Sequence, residues 1–254
     1  MTGNDAPIAY EAKDAVATIT LDDPARRNAL STRLIAAMRE ALAAAVADPE
    51  VRVIVVDHTG PVFCAGGDLK ESAAAERAED LPAVHLADLL WELCEAPKPV
   101  VAVARGAARG GGLGLLAAAD ITICLDEAEM AFSEVRLGVV PAVIAPVVAR
   151  KIGAARMRAL FLTGYQFQAG EAEPWGLVTF STYDGIDAAV AETVSELLAG
   201  GPQAQAGIKA LTATPELREQ LQAEAVRTAE YFLSSEGREG VRSFLEKRTP
   251  SWVG

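Results

Sequence analysis

The chain of 254 residues has few of the side chains that form disulfides or bind metals. Its three cysteines, Cys64, Cys94 and Cys124, are an odd number without a CxxC pair, and it has only two histidines. This composition argues against a disulfide framework, a cysteine-rich zinc site and a histidine metal site. We therefore expect no metal, and we interpret Cys64 as a packed residue and not as a nucleophile.

Positive charge is also scarce. The chain has 23 Lys and Arg against 35 Asp and Glu, which gives a net charge of −12. Nucleic acids and anionic membranes attract the opposite sign, so we expect neither as a partner. Residues 1–5 lack the apolar segment of a signal peptide, and no run approaches the ~20 apolar residues of a membrane span. These absences predict a cytoplasmic protein.

Apolar residues make up 51% of the chain, enough for one large core. Alternation of apolar and polar residues predicts two strands within 8–21, and runs of apolar residues predict buried strands at 51–56, 99–104 and 120–125. Apolar residues at helical spacing follow Ser31, a candidate N-cap, and the same spacing recurs over 83–94. Both segments are therefore predicted to be helices. Strand, loop and helix in repetition indicate an α/β fold with a parallel sheet.

The pattern changes beyond residue 143, where helical spacing dominates. We place a boundary near residue 195, after which the chain reads as a helical appendage. Helices are predicted at 143–152, 154–162, 186–199, 215–233 and 236–248.

Two glycine-bearing segments each connect a predicted strand with a predicted helix. The first is Phe63–Leu69 (FCAGGDL), and the second is Gly106–Gly114 (GAARGGGLG), a turn expected to lead into a helix at 115–119. Glycine lets backbone amides approach a ligand, and a helix N-terminus behind such a turn favours negative charge. Two amides that converge on one oxygen would form an oxyanion hole. Tight packing turns are the alternative interpretation.

One acid stands among apolar residues in the segment Ser133–Gly138 (SEVRLG). An apolar pocket raises the pKa of a carboxyl group, which suits general acid–base catalysis. Glu134 is therefore a candidate catalytic residue. An ion pair with Arg136 or a solvated loop position are the alternatives.

A dinucleotide-binding motif competes for the second glycine segment. Gly112, Gly114 and Ala117 match G-x-G-x-x-A, with Glu134 as an acid 20 residues further on. However, Gly112 lies about eight residues after the predicted strand ends, whereas this fingerprint begins directly after its strand. A nicotinamide-dependent oxidoreductase is therefore the weaker hypothesis.

Five segments, in this order, resemble those of the enoyl-CoA hydratase/isomerase family, the crotonase superfamily, over nearly the whole chain. They are Arg26–Leu30 (RRNAL), Phe63–Lys70 (FCAGGDLK), the glycines at 110–112, the Glu134 segment with Gly138 and Pro141, and Phe244–Arg248 (FLEKR). The resemblance implies an α/β fold of stacked ββα units over residues 1–195, which bind acyl-CoA and perform catalysis. It also implies a C-terminal helical trimerisation region over 196–254, and thus a homotrimer or a hexamer.

The resemblance also implies roles for single residues. The amides of Gly67 and Gly111 would bind the thioester oxygen, with Glu134 as the acid–base group. Arg27 would face the coenzyme A phosphates. The substrate-binding segment around Gly67 would comprise Ala65, Gly66, Asp68, Leu69 and Lys70, and a neighbouring subunit's ligand would be reached by Phe244 and Lys247. No separate cofactor is implied, because coenzyme A enters as part of the substrate.

One position departs from the two-carboxylate hydratases of this family. Gly114 stands where they have a second Glu. A single carboxylate suits a Δ3-Δ2-enoyl-CoA isomerase, and also a hydratase in which Glu134 both positions water and returns the proton. The segment Ser133–Ile144 resembles the methylglutaconyl- and isohexenylglutaconyl-CoA hydratase branch, which also has Gly at that position. We therefore expect hydration of a 2-enoyl-CoA, with the isomerase and a non-catalytic acyl-CoA-binding homologue as alternatives.

That branch implies a substrate with a distal carboxylate. Arg109 or Arg136 would pair with it, and a structural ion pair is the competing interpretation. The dehalogenase branch has Asp at the position of Ala142, so we do not expect dehalogenation. The sequence does not specify the acyl chain.

Overall fold

Two β-sheets carry the site, and the chain alternates between them. This computed structural model describes residues 6–253, so the expectation for residues 1–5 lies outside it. The larger sheet is ordered, from edge to edge, as β1 (Ile8–Lys13), β2 (Val16–Leu21), β3 (Val53–His58), β5 (Val100–Ala104), β7 (Ile121–Leu125) and β10 (Phe180–Thr182). Only β1 and β2 are antiparallel, which confirms the predicted parallel sheet.

The smaller sheet consists of three-residue strands. It is ordered as β4 (Val62–Cys64), β6 (Ala107–Arg109), β8 (Glu129–Ala131) and β9 (Gln166–Gln168). Each of β4, β6 and β8 directly follows a strand of the larger sheet and precedes a helix or helical turn. The strand–strand–helix repetition that the resemblance implies is therefore present, although the residue pattern predicted none of these short strands.

The helices cover both faces of the larger sheet. They are α1 (Thr32–Ala47), α2 (Leu69–Ala74), α3 (Pro82–Glu95), α4 (Gly111–Ala118), α5 (Ala145–Thr163), α6 (Ala169–Ala172), α7 (Ile186–Ala199), α8 (Pro202–Leu211), α9 (Leu217–Leu233) and α10 (Ser235–Glu246). Ser31 caps α1 as predicted, since its Oγ accepts a hydrogen bond from the Leu34 amide at 3.2 Å.

The main core lies on the sheet face that α1, α3, α4 and α5 cover. Alternate β3 residues divide between the two faces. Ile54 and Val56 belong to the main core, whereas Val53 and Val55 pack toward α7 in a smaller cluster. Burial on both faces explains the continuous apolar runs, which are typical of parallel strands.

Two parts of the helix prediction need correction, and a third part is confirmed. α4 begins at Gly111 and not at Leu115, because its glycines are fixed by close packing in spite of their low helix propensity. The break predicted between helices at 143–152 and 154–162 is confirmed, because Gly153 within α5 has non-helical backbone angles, with φ of +74° and ψ of 154°. α8 was not predicted, although Pro202 at its first turn is a common start signal.

The predicted boundary near residue 195 falls within α7, which spans Ile186–Ala199. The division into residues 1–195 and 196–254 stays a prediction. Beyond it, α9 packs against α3 and so encloses one side of the site. No helix among residues 6–253 has the length and apolar character that crossing a lipid bilayer requires.

Candidate active site

A cavity of about 540 Å³ lies beside the N-terminus of α4. Its wall is completed by α2, α3, α9, α10 and the helical turn Glu134–Leu137. Eight of the eleven predicted site residues line it, namely Arg27, Ala65, Gly66, Gly67, Leu69, Gly111, Glu134 and Phe244.

The other three predicted residues lie outside the cavity wall. The Asp68 carboxylate caps α2 by accepting hydrogen bonds from the Lys70 and Glu71 amides at 2.9 and 3.1 Å. Lys70 and Lys247 are exposed, and Lys247 ends α10 with a left-handed backbone. Asp68 thus acts on the structure of the turn, because its carboxylate is occupied by the helix that it starts.

The Gly67 amide has no acceptor among the described residues. Leu30 forms a parallel bridge with Gly67 through the flanking groups: the Leu30 amide donates to the Gly66 carbonyl at 2.8 Å, and the Asp68 amide donates to the Leu30 carbonyl at 3.1 Å. The bridge fixes the turn and leaves the Gly67 N–H available to a ligand.

The Gly111 amide is likewise without an acceptor in residues 6–253, because it opens the first turn of α4. A Cβ at Gly111 would lie only 2.7 Å from Leu30 Cδ1. Leu30 therefore touches both glycine segments, and its packing requires glycine at position 111. Both free amides belong to the wall of one cavity.

The Glu134 carboxyl group packs against the residue that precedes this amide. Gly110 has φ of +46°, and a Cβ there would collide with Glu134 Oε1. Glu134 Oε2 is buried and has no hydrogen-bond partner among the described residues. Burial raises the pKa of Glu134 from 4.5 to about 7, against a smaller lowering by its own backbone amide. No ion pair joins it to Arg136 within the part of the chain that the structure describes.

An apolar residue fills the place of a second carboxylate. A Cβ at Gly114 would clash with Ile144 Cγ2 and would lie 3.6 Å from Leu90 Cδ2. Ile144 itself lines the cavity. Among the described lining residues, Glu134 is therefore the single carboxylate.

The two arginines considered for a distal carboxylate differ. Arg109 lines the cavity, but its Nη2 already pairs with Glu129 Oε2 at 2.9 Å. For Arg109, the competing interpretation of a structural ion pair is therefore the one that the structure supports. Arg136 also lines the cavity, and its guanidinium has no ion pair with any residue in 6–253. Of the two, Arg136 is the one free to meet an anionic ligand.

Asn28 is a residue that the sequence analysis quoted but did not assign. It is fully buried, and its Nδ2 donates to the Val62 and Thr59 carbonyls at 2.8 and 3.1 Å. The neighbouring Arg27 carbonyl accepts a hydrogen bond from the Ala65 amide at 3.0 Å. Asn28 thus holds the segment that bears Arg27 beside the first glycine turn, as buried polar side chains commonly do through their hydrogen bonds. The available signal in the sequence was the single Asn within the RRNAL segment.

The dinucleotide hypothesis is wrong. Gly112 and Gly114 lie buried inside α4, and a Cβ at Gly112 would lie 2.7 Å from Cys64 Cβ. These glycines serve helix packing, so no phosphate can approach them. The interpretation of Cys64 as a packed residue is confirmed because its side chain is fully buried, and this burial raises the pKa of its thiol to about 12.

The fold and the site together define an acid–base site with free backbone donors, built on a ββα framework. A family model described as enoyl-CoA hydratase/isomerase matches residues 11–254. An enoyl-CoA hydratase from Mycobacterium avium has a similar structure, with a TM-score of 0.86 and 39% identity over 98% of this chain and all of that one. A carnitinyl-CoA dehydratase from Salmonella arizonae is 36% identical over 93% of this chain and 94% of its own.

A further solved structure, an enoyl-CoA hydratase from Shewanella pealeana, has a TM-score of 0.78 and 32% identity, and covers 97% of this chain and 96% of that one. The chain belongs to the enoyl-CoA hydratase/isomerase family and is an enzyme of the crotonase superfamily. The resemblance and the α/β fold expected from the sequence are confirmed.

Proposed function

We propose that this enzyme adds water across the 2,3 double bond of an enoyl-CoA thioester. The observation that carries the proposal is the Glu134 carboxyl group, which is buried with a pKa of about 7 and packs against Gly110, one residue before the free Gly111 amide. An acid with a pKa near neutrality is suited both to accept and to donate a proton at that pH. Relatives and structural neighbours that are named hydratases support this reaction.

The two free amides supply the second part of the mechanism. The thioester oxygen accepts hydrogen bonds from the Gly67 and Gly111 N–H groups and becomes negatively charged as the enolate forms. Fixed donors of this kind each lower the barrier by ~3 kcal/mol, because they need no rearrangement. Glu134 takes a proton from water while the water oxygen bonds to C3. It then returns a proton to C2, so that one carboxyl group serves both half-reactions.

Coenzyme A binding is proposed for the remaining residues. Arg27 is exposed at the wall of the cavity. Its positive charge suits the phosphates of coenzyme A, which the net negative charge of the protein would otherwise repel. Lys70 and Lys247 are exposed outside the wall and would act only at the nucleotide end. We further propose a homotrimer or a hexamer, as the family resemblance implies.

A Δ3-Δ2-enoyl-CoA isomerase is the second candidate. The side chain of Ile144 occupies the space next to Gly114, so the cavity has an apolar wall at that point. Glu134 remains as its proton acceptor. One acid is enough to move a proton between C2 and C4. Assays with 2-enoyl-CoA and 3-enoyl-CoA substrates in parallel distinguish the two reactions, because only hydration removes the conjugated thioester.

The proposal is tested with Glu134→Gln, which keeps the shape of the side chain and removes its proton transfer. We expect turnover of crotonyl-CoA, followed by loss of the conjugated thioester absorbance, to fall by ~10²–10⁴-fold. Binding of butyryl-CoA, measured by calorimetry, should persist. Glu127→Gln, at an exposed position outside the cavity, is the matched control. Wild-type turnover in the Glu134 variant would remove Glu134 from the mechanism.

A further inference from the structure

The two free amides of the active site lie beyond the strands that join their segments. β4 and β6 form a short parallel pair, whose last paired residues are Cys64 and Ala108. Gly67 and Gly111 each lie three residues further along the chain, outside this ladder. Strand pairing alone therefore does not fix the distance between their two N–H groups.

Leu30 contacts both segments at the level of the free amides. Its backbone holds the first segment, because its hydrogen bonds to the Gly66 carbonyl and from the Asp68 amide fix the residues on either side of Gly67. Its side chain packs against the second segment, where Leu30 Cδ1 lies 2.7 Å from the position of a Cβ at Gly111. One fully buried residue thus links the two donors.

The need for glycine at position 111 comes from packing and not from backbone conformation. Gly111 is the first residue of α4 and does not have a positive φ, so alanine can adopt its backbone conformation. The groups that oppose a methyl group there are Leu30 Cδ1 at 2.7 Å and Leu86 Cδ2 at 3.2 Å. The Leu30 side chain therefore limits how closely the start of α4 can approach the first glycine turn.

We propose that Leu30 is a positioning residue, which sets the separation of the Gly67 and Gly111 amides. Leu30 lines the cavity, but its hydrocarbon side chain offers neither a proton nor a charge, so it acts through the two donors. The inference rests on the proposed function, in which both amides bind one oxygen. Such donors must lie ~3 Å from the developing negative charge, and a displacement of ~1 Å can cost ~10²-fold in rate.

The first test compares two buried leucines of neighbouring turns. Leu34 is as fully buried as Leu30 but lies outside the cavity wall, so Leu34→Ala is the matched control. We expect Leu30→Ala to lower kcat for crotonyl-CoA at least tenfold and to change KM less than threefold, because the charge on the oxygen develops only in the reaction. Leu30→Met refills the space and should restore kcat to within about threefold of wild type.

Leu34→Ala should keep kcat within about twofold of wild type, even where urea unfolding shows that both alanine variants lose similar stability. Equal losses of kcat in Leu30→Ala and Leu34→Ala would show that Leu30 supports only the fold, and would overturn the proposal.

A double-mutant cycle tests the contact itself. Gly111→Ala brings a methyl group against Leu30 Cδ1 and should lower kcat, because α4 must move away. In Gly111→Ala/Leu30→Ala that methyl group has room, so we expect kcat to be at least threefold higher than the product of the two single losses gives. Losses that simply multiply would mean that the two residues act independently, which refutes the spacing role.

A spectroscopic measurement separates this inference from the reaction. Hydrogen bonds from both amides polarise a bound carbonyl group, which moves the ¹³C resonance of carbonyl-labelled butyryl-CoA downfield. We expect this shift in wild type and in Leu34→Ala, and a smaller shift in Leu30→Ala. No shift in wild type, or an equal shift in Leu30→Ala, would overturn the positioning role. A wild type that shifts the resonance but does not hydrate crotonyl-CoA would contradict the proposed function alone.

Discussion

At the scale of single residues, the chemistry of Glu134 conflicts with stability. Its Oε2 is buried without a partner among the described residues, and burial raises its pKa to about 7. Ionising such a group inside the protein is unfavourable, and Gly110 must lack a side chain to admit it. The same burial that places the pKa in the catalytic range therefore weakens the folded state whenever the group is charged.

Glu134→Gln should consequently stabilise the protein in alkaline solution. A carboxyl group whose pKa is higher in the folded than in the unfolded state stabilises the fold below about pH 4.5, and this contribution is lost as the pH rises toward 7. Glutamine does not ionise, so we expect the variant's free energy of unfolding to exceed that of wild type by ~3 kcal/mol at pH 8. At pH 4 the difference should be small.

Urea unfolding at both pH values measures this difference, with Glu127→Gln as the control. A variant no more stable than wild type at pH 8 would show that the Glu134 carboxyl group is better solvated than its surroundings indicate.

At the scale of elements, His58 connects the ends of two central strands. It is the last residue of β3, and its Nε2 accepts a hydrogen bond at 2.9 Å from the Arg105 amide, just beyond β5. Its Nδ1 faces the Thr59 carbonyl at 3.3 Å, so the neutral ring with a proton on Nδ1 satisfies both contacts. Burial lowers the pKa of His58, partly opposed by hydrogen bonding to Thr59 and by Asp57.

This connection should weaken in acid. Because the folded-state pKa of His58 lies below its unfolded value of ~6.5, its contribution to stability is present above that pH and is lost as the pH falls through it. We expect His58→Gln to show a flatter dependence of the free energy of unfolding between pH 7.5 and ~5 than wild type. Identical slopes in the two proteins would refute the assignment.

Elements were predictable where a local pattern was long enough. The Ser31 cap and α7 were predictable because side-chain spacing and capping chemistry define them. The strands β4, β6 and β8 were not, since three residues show no alternation and their pairing partners are distant in sequence. The start of α4 at Gly111 was missed for a related reason: its glycines are set by contacts with Leu30 and Cys64, which only the fold creates.

The candidate site was largely predictable because its motifs are local. The glycine turns and Glu134 were identified from their own segments, and the structure places them in one cavity. The cavity itself, the role of Asn28 and the pairing of Arg109 with Glu129 depend on residues brought together from separate elements. Neither composition nor spacing contains that information.

At the scale of the whole molecule, apolar side chains remain exposed on α9, α10 and the segment after them. They are Val226, Tyr231, Phe244, Leu245, Trp252 and Val253, each at least 40% exposed. Exposed apolar side chains can mark protein–protein contacts. All six residues belong to the region that the family resemblance assigns to trimerisation, so we expect some of them to contact a neighbouring subunit.

We expect the protein to sediment with a mass of three or six chains of 26.6 kDa. Val226→Glu places a charge on the exposed side of α9, and this variant should shift the distribution toward monomer. Val226→Leu keeps the apolar surface and should sediment as wild type. Analytical ultracentrifugation provides the measurement, and a wild-type monomer at micromolar concentration would refute the assembly.

The contact between Gly114 and Ile144 constrains how this cavity can change over evolutionary time. A mutation that introduces an acidic side chain at position 114 would bring its Cβ into collision with the Ile144 side chain, so Ile144 must move before the acid can contribute to chemistry. Shortening the isoleucine first leaves an unfilled space in the apolar wall. Each single step therefore has a steric or a packing cost, and we expect the two positions, on different elements, to be exchanged together. The described cavity wall is thereby held to one carboxyl group by steric epistasis as well as by its present reaction.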